Sequence, residues 1–249
     1  MPQKPFIHAR NCYLSFPELG NSQSLKKLLL HRILGQSKKV VPNEQHLLGP
    51  LNIEINSGEK VAILGQNGAG KSSFLRLISK VYHPTMGSIK SHGTINAMID
   101  IHAGVKDDLS GRANAKMLLK FFQPSDAKRT FDETQIIDEI KEFSGLGETF
   151  EKPVSTYSSG MRLRLVFATI TTQHSDILIM DEWMSVGDHE FLKKVDDRLL
   201  SLVEKSKIFV LATHSPKAAL SLCERGIVMK KGEIIFDGAI DAACKFYFG

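Results

Sequence analysis

The apolar positions of this chain fall into short, almost uninterrupted runs separated by longer amphipathic stretches. Lys60, Val61, Ala62, Ile63 and Leu64 form one run, and Ile177, Leu178, Ile179 and Met180 another. Residues 207–212 form a third. Runs of this length with no polar alternation predict strands buried on both faces. Residues 6–16 and 47–56 predict two further strands, and 226–236 predicts a hairpin around Lys231 and Gly232. A turn is predicted at 84–87, followed by a short strand around Ile89. Helical spacing appears in 74–78, 132–143 and in a helix opening at 157–161, and Asp108, Leu109, Ser110 and Gly111 predict another helix start. Residues 24–34 place Leu25, Leu28, Leu29 and Ile33 on one helical face, with Lys26, Lys27 and Arg32 beside them. Gly35 ends that helix, and 36–44 reads as loop. Buried strands alternating with helices predict an α/β fold with a largely parallel sheet.

Composition narrows the class. The 249 residues are 42% hydrophobic and 24% charged, ordinary for a globular protein with a sizeable core. No apolar stretch approaches a membrane span, and the N-terminus lacks the apolar run of a secretory leader. Three scattered cysteines, Cys12, Cys223 and Cys244, show no zinc spacing and suit a reducing compartment. The expectation is a cytosolic protein. A formal charge of +5 is compatible with several anionic partners and selects none.

The chemistry begins between the first buried run and the helix that follows it. Gly65, Gln66, Asn67, Gly68, Ala69, Gly70, Lys71 and Ser72 fit G-x-x-x-x-G-K-[ST], with Ser73 next. Strand, glycine loop and helix form the context in which this pattern binds phosphate. Backbone N–H groups line the loop, and the helix start adds partial positive charge. Lys71 would reach the β- and γ-phosphates, and Ser72 would bind Mg²⁺. Asp181 and Glu182 end the second buried strand, at the edge where open α/β sheets bind ligands. Asp181 would hold Mg²⁺ through water, and Glu182 would act on the attacking water as general base or as orienter. Ser158, Ser159 and Gly160 open a helix and offer either a second anion site or an ordinary serine cap. His214 follows the third buried strand and can bond a γ-phosphate.

Taken in that order, these motifs resemble the ATP-binding cassette ATPases over nearly the whole chain. The resemblance implies ATP and Mg²⁺ as ligands and a core with a mostly parallel sheet, a small antiparallel part and an inserted helical subdomain. Residues 1–97 and 163–249 would form the core, and 98–162 the subdomain. It also implies a head-to-tail homodimer in which Lys71 of one subunit faces Ser159 of the other. Ser158, Ser159 and Gly160 then stand for the family's signature segment, which here departs from its usual Leu-Ser-Gly-Gly-Gln. Residues 184–188 match the dimer-contact loop. Phe16 stands where the family often stacks an aromatic on adenine, with Tyr13 as the alternative. The glutamine that normally opens the helical subdomain is missing, and Asp100 or His102 takes its place.

Finer features look like the polysaccharide-export members: Tyr157-Ser158-Ser159-Gly160-Met161, Ala103-Gly104-Val105 ahead of Ser110-Gly111-Arg112, and the 181–188 stretch with the basic segment before Leu47. That resemblance implies export of lipid-linked polysaccharide, foremost O-antigen, through a separate multispan permease at the cytoplasmic face of the inner membrane. Capsule and teichoic acid exporters are the alternatives. A DNA-acting member would carry a long coiled-coil insert, so no nucleic-acid partner is expected. Some exporters carry a C-terminal carbohydrate-binding domain, for which 249 residues leave no room. The basic segment is expected to face lipid headgroups or the permease.

Overall fold

A computed structural model describes residues 3–17, 44–99, 104–122, 132–182 and 189–249. The basic segment at 24–34, Asp100, His102 and the 184–188 loop lie outside the described residues. Nine strands alternate with seven helices among the described residues. In chain order these are β1 (Phe6–Pro17), β2 (Glu44–Asn56), β3 (Lys60–Leu64), α1 (Lys71–Ile78), β4 (Met86–His92), β5 (Ile95–Met98), α2 (Gly111–Phe122) and α3 (Glu133–Ser144). Then come α4 (Ser159–Ile170), β6 (Ile177–Asp181), α5 (His189–Lys205), β7 (Ile208–Ala212), α6 (Pro216–Leu222), β8 (Arg225–Lys230), β9 (Glu233–Ala239) and α7 (Ile240–Phe248).

The larger sheet runs in the order β5-β6-β7-β3-β8-β9. Its strands are parallel except β9, which returns antiparallel along β8. The three continuous apolar runs are β3, β6 and β7, side by side at its centre. Their alternate residues feed two different cores. Val61, Ile63, Ile177, Ile179, Ile208 and Val210 face one core with Phe74, Leu75, Leu77 and Ile78 of α1. Ala62, Leu64, Leu178, Met180, Phe209 and Leu211 face the other, with residues of α4, α5 and α7. Strands covered on both sides need no polar alternation, which is why they read as solid runs.

The second sheet, β2-β1-β4, is antiparallel and packs against the α1 side. A third core gathers α2, α3, α4 and the 3₁₀ turns Gly147–Glu151 and Val154–Thr156. Helix α4 joins this group to the sheet: Val166, Phe167 and Ile170 face the sheet, while Leu165 and Ala168 face the helices. The predicted helix at 132–143 is α3, with the Asp132 carboxylate capping Thr134 and Gln135 N–H and Gly145 in the left-handed region ending it. The predicted start at 108–111 is α2, where Ser110 Oγ accepts from Ala113 N–H. β4 begins at Met86, inside the predicted turn, and is longer than the short strand expected. No helix among the described residues is long and apolar enough to cross a membrane.

Candidate functional site

Strand β3 delivers the chain into the 65–70 loop at the C-terminal edge of the sheet. The loop turns tightly because two glycines leave room for neighbours. Gly65 has φ 153°, and a Cβ there would lie 2.5 Å from Met229 O. Gly70 has φ 102° and caps α1 without any side-chain bond; a Cβ on it would lie 2.8 Å from Leu48 Cδ2. Phe74 N–H is the donor that reaches back to Gly70 O. The N–H groups of Lys71, Ser72 and Ser73 therefore precede the first intrahelical bond and are available to an anion. The first turn of α1 carries no acidic residue to compete.

Lys71 is buried, and its ammonium donates to Gly65 O at 2.7 Å and to Gln66 O at 3.3 Å. His214 Nε2 lies 3.0 Å from the same Nζ. Burial pushes the Lys71 ammonium below its ordinary value, and the carboxylates of Glu182 and Asp181 pull it back upward. A cation buried in such surroundings has a reason to seek negative charge beyond those two carboxylates.

The ends of β6 and β7 supply the remaining groups. Asp181 is the last residue of β6 and Glu182 follows it with φ 71°, a left-handed conformation unusual for a side chain of this size. Its N–H is held by Ala212 O at 2.8 Å. Thr213 Oγ1 donates to Glu182 Oε2 at 3.4 Å and accepts from Ser215 N–H at 3.1 Å. His214 Nε2 and Glu182 Oε1 are 3.7 Å apart. Because β6, β7 and β3 are neighbours, Lys71, Asp181, Glu182 and His214 meet at one sheet edge.

This donor set fits a magnesium-bound triphosphate. Two half-buried oxygen groups, Ser72 and Asp181, flank a buried ammonium and free helix-end N–H groups. No cluster of three metal-ligating side chains exists among the described residues. Magnesium suits such a site, since it keeps waters and shares phosphate oxygens with only one or two protein ligands.

Ser158, Ser159 and Gly160 lie elsewhere. Ser158 is the cap of α4, its Oγ accepting from Met161 N–H at 3.2 Å, and both serines are exposed. Tyr157 is buried and donates its hydroxyl to Thr149 O at 2.7 Å; a Cβ on Gly111 would lie 2.3 Å from the Tyr157 hydroxyl oxygen. No hydrogen bond or ion pair among the described residues links this serine pair to Lys71, Glu182 or His214. Phe16 is exposed on β1, edge-on to Tyr82 with ring centroids 5.3 Å apart. Tyr13, the alternative aromatic, has its ring packed where a Gly49 Cβ would be. Thr213 and Tyr82 had no sequence signal beyond adjacency to His214 and to α1.

The ABC transporter family model matches residues 48–185, which hold the phosphate loop, the serine pair and the acidic pair. The O-antigen export system ATP-binding protein RfbE of Yersinia enterocolitica is 34% identical over 93% of this chain and 97% of its own length. The O-antigen export protein RfbB of Myxococcus xanthus is 38% identical over 78% of this chain and 44% of its own, longer length. Among solved structures, the dimeric post-hydrolysis cassette MJ0796 bound to ADP and Pi superposes with a TM-score of 0.68 at 20% identity, covering 94% of this chain and 98% of that one. The loop geometry, the acids and histidine at the sheet edge, the matching fold and the extent of the match lead to one statement: this chain belongs to the ABC transporter family.

Proposed function

We propose that this chain is the ATP-binding and ATP-hydrolysing subunit of an exporter of lipid-linked polysaccharide, with O-antigen as the cargo. The observation that carries the enzymatic half is the meeting of Lys71, Glu182 and His214 beside the phosphate loop. The export half is supported by the likeness to O-antigen export proteins along most of the chain. Capsule export is the second reading, favoured by likeness to the polysialic acid transport protein KpsT of Escherichia coli, 34% identical over 81% of this chain.

In this reading the loop N–H groups cradle the phosphates. Lys71 exchanges its two carbonyl acceptors and His214 for the β- and γ-oxygens, a trade of neutral acceptors for charged ones. Ser72 and, through water, Asp181 would hold Mg²⁺, which would offset the charge of those oxygens. Glu182, anchored by Thr213, orients the attacking water and takes its proton as the γ-phosphorus–oxygen bond to ADP breaks. His214 holds the γ-phosphate and keeps Glu182 in register. Phe16 stacks on the adenine. Ser158, Ser159 and Gly160 serve the nucleotide of a second copy, which is why they stand apart from Lys71 here. Residues 98–162 act as the helical subdomain between this site and a multispan permease, which docks the chain to the cytoplasmic face of the membrane.

The test is a pair of variants in the purified protein and in cells. Lys71→Ala should weaken ATP binding by about tenfold or more, the loss of a charge-assisted contact. Glu182→Gln should retain binding while hydrolysis falls by about a hundredfold or more. Both should lose surface polysaccharide. Parental hydrolysis in Glu182→Gln removes its assigned role, and normal surface polysaccharide in a strain whose only copy cannot hydrolyse ATP removes the export assignment.

A further inference from the structure

The two-residue turn between β8 and β9 consists of Lys231 (φ 49°) and Gly232 (φ 83°), the left-handed pair of a type I′ hairpin. Such turns normally project into solvent. Here Lys230, Lys231 and Glu233 are exposed, but Gly232 is buried. Its N–H donates to Ala69 O of the phosphate loop at 2.9 Å, and its carbonyl accepts from Gly49 N–H of β2 at 3.0 Å. A Cβ on Gly232 would sit 2.3 Å from Leu47 O and 3.2 Å from Leu48 Cα. From the other side, a Cβ on Gly70 would sit 3.2 Å from Gly232 Cα. Three backbones meet closely here: the hairpin tip, the phosphate loop and β2.

β2 carries this contact along β1 to Phe16. It pairs with β1 in a register that sets Leu14 beside Leu48 and Phe16 beside Gln45. Phe16, which the proposed function stacks on the base, and the phosphate loop are thus tied through the same glycine. We propose that Gly232 is a positioning residue that fixes the distance between the phosphate loop and the base-stacking end of β1, so that one ATP engages both at once. This rests on the nucleotide reading above. The competing explanation is that the hairpin needs a glycine at this position and nothing more.

Dissociation constants for ATP and for inorganic tripolyphosphate, which lacks the base, separate the two. Stacking of the base should make the parent protein prefer ATP by on the order of tenfold or more. Gly232→Asn keeps a residue tolerant of the left-handed turn but adds the Cβ. Inserting one glycine between Lys231 and Gly232 lets the tip withdraw with no steric insult, and serves if Gly232→Asn does not fold. In either variant the preference for ATP should shrink by about fivefold or more, the scale of one lost hydrogen bond. Phe16→Ala should shrink it similarly, and Gly232→Asn placed on top should add little. Lys231→Gly, which relaxes the turn alone, should leave the preference intact. A folded Gly232 variant with the parental preference overturns the positioning role and leaves ATP binding standing. A parent that shows no preference, or a Lys71→Ala protein that binds tripolyphosphate as well as the parent, overturns the nucleotide reading and this proposal with it.

Discussion

The ammonium of Lys71 and Nε2 of His214 lie 3.0 Å apart although 143 positions separate them in the chain. An ammonium has only donors to offer, so Nε2 accepts and the imidazole proton sits on Nδ1. The same nitrogen is 3.7 Å from Glu182 Oε1, close enough to compete for a different partnership. One ring nitrogen cannot accept from the lysine and donate to the carboxylate together. In the proposed reading, moving Lys71 onto phosphate would release His214, so the loop would signal the arrival of a triphosphate to the groups assigned to its cleavage.

Removing the imidazole should separate binding from turnover. His214→Ala leaves Lys71 its two loop carbonyls, so ATP affinity should stay within about fivefold of the parent. Hydrolysis should fall on the order of a hundredfold. Equilibrium binding beside single-turnover hydrolysis decides it; an affinity loss as large as the rate loss would show that His214 serves the ground state only.

The separation of the exposed Ser158 and Ser159 from Lys71 predicts complementation between damaged copies. In a head-to-tail dimer, Lys71→Ala and Ser159→Arg subunits, mixed, would place both lesions at one interface and leave the other intact. Activity should return toward half the parental value in the mixed species if sites act independently, against near zero in each homodimer. Tagged, isolated heterodimers with no recovery would count against sites shared head to tail.

At the other end of β6, Asp176 links three elements. Its carboxylate accepts from Thr94 N–H at 3.0 Å, from Thr94 Oγ1 at 3.1 Å and from Lys207 Nζ at 2.8 Å. Burial alone would raise this carboxyl, but the Lys207 ammonium and the Thr94 donors outweigh it and hold it below the ordinary aspartate value of 3.8. A depressed folded value means the unfolded chain binds the proton more readily. The contribution to stability is thus fully present above the unfolded value, and is lost as pH falls through the lower folded one. Asp176→Asn should cost about 1–3 kcal/mol at neutral pH. Its deficit against the parent should narrow in denaturant titrations below about pH 4. A deficit that does not change with pH would assign the cost to packing.

The strands nearest the chemistry were legible because burial on both faces leaves β3, β6 and β7 without polar positions, and the loop was legible because backbone demands fix its glycines. β5 was missed since Asn96 breaks its apolar run. That side chain is buried and donates to Ile170 O and Gln173 O, partners from a distant segment. Helix α5 was also missed, although Phe191, Val195, Leu199 and Leu202 keep helical spacing and are all buried. Gly232 was read only as part of a hairpin turn, and the distant partners of Thr213 and Gly232 could not be read. Their importance comes from contacts with residues more than thirty positions away, which no local pattern encodes.

The strand order has a consequence for the chain as it leaves the ribosome. β3, which carries the phosphate loop, lies between β7 and β8, and both are translated only after residue 207. A nascent chain therefore displays the loop long before either neighbour exists to hold its strand flat, and before His214 has been made. β3 cannot pair early, because both of its partners begin only after residue 207. Competence to hold a nucleotide therefore waits for β7 and β8, and a product terminated before them would carry the whole binding motif while lacking both strands that flank it.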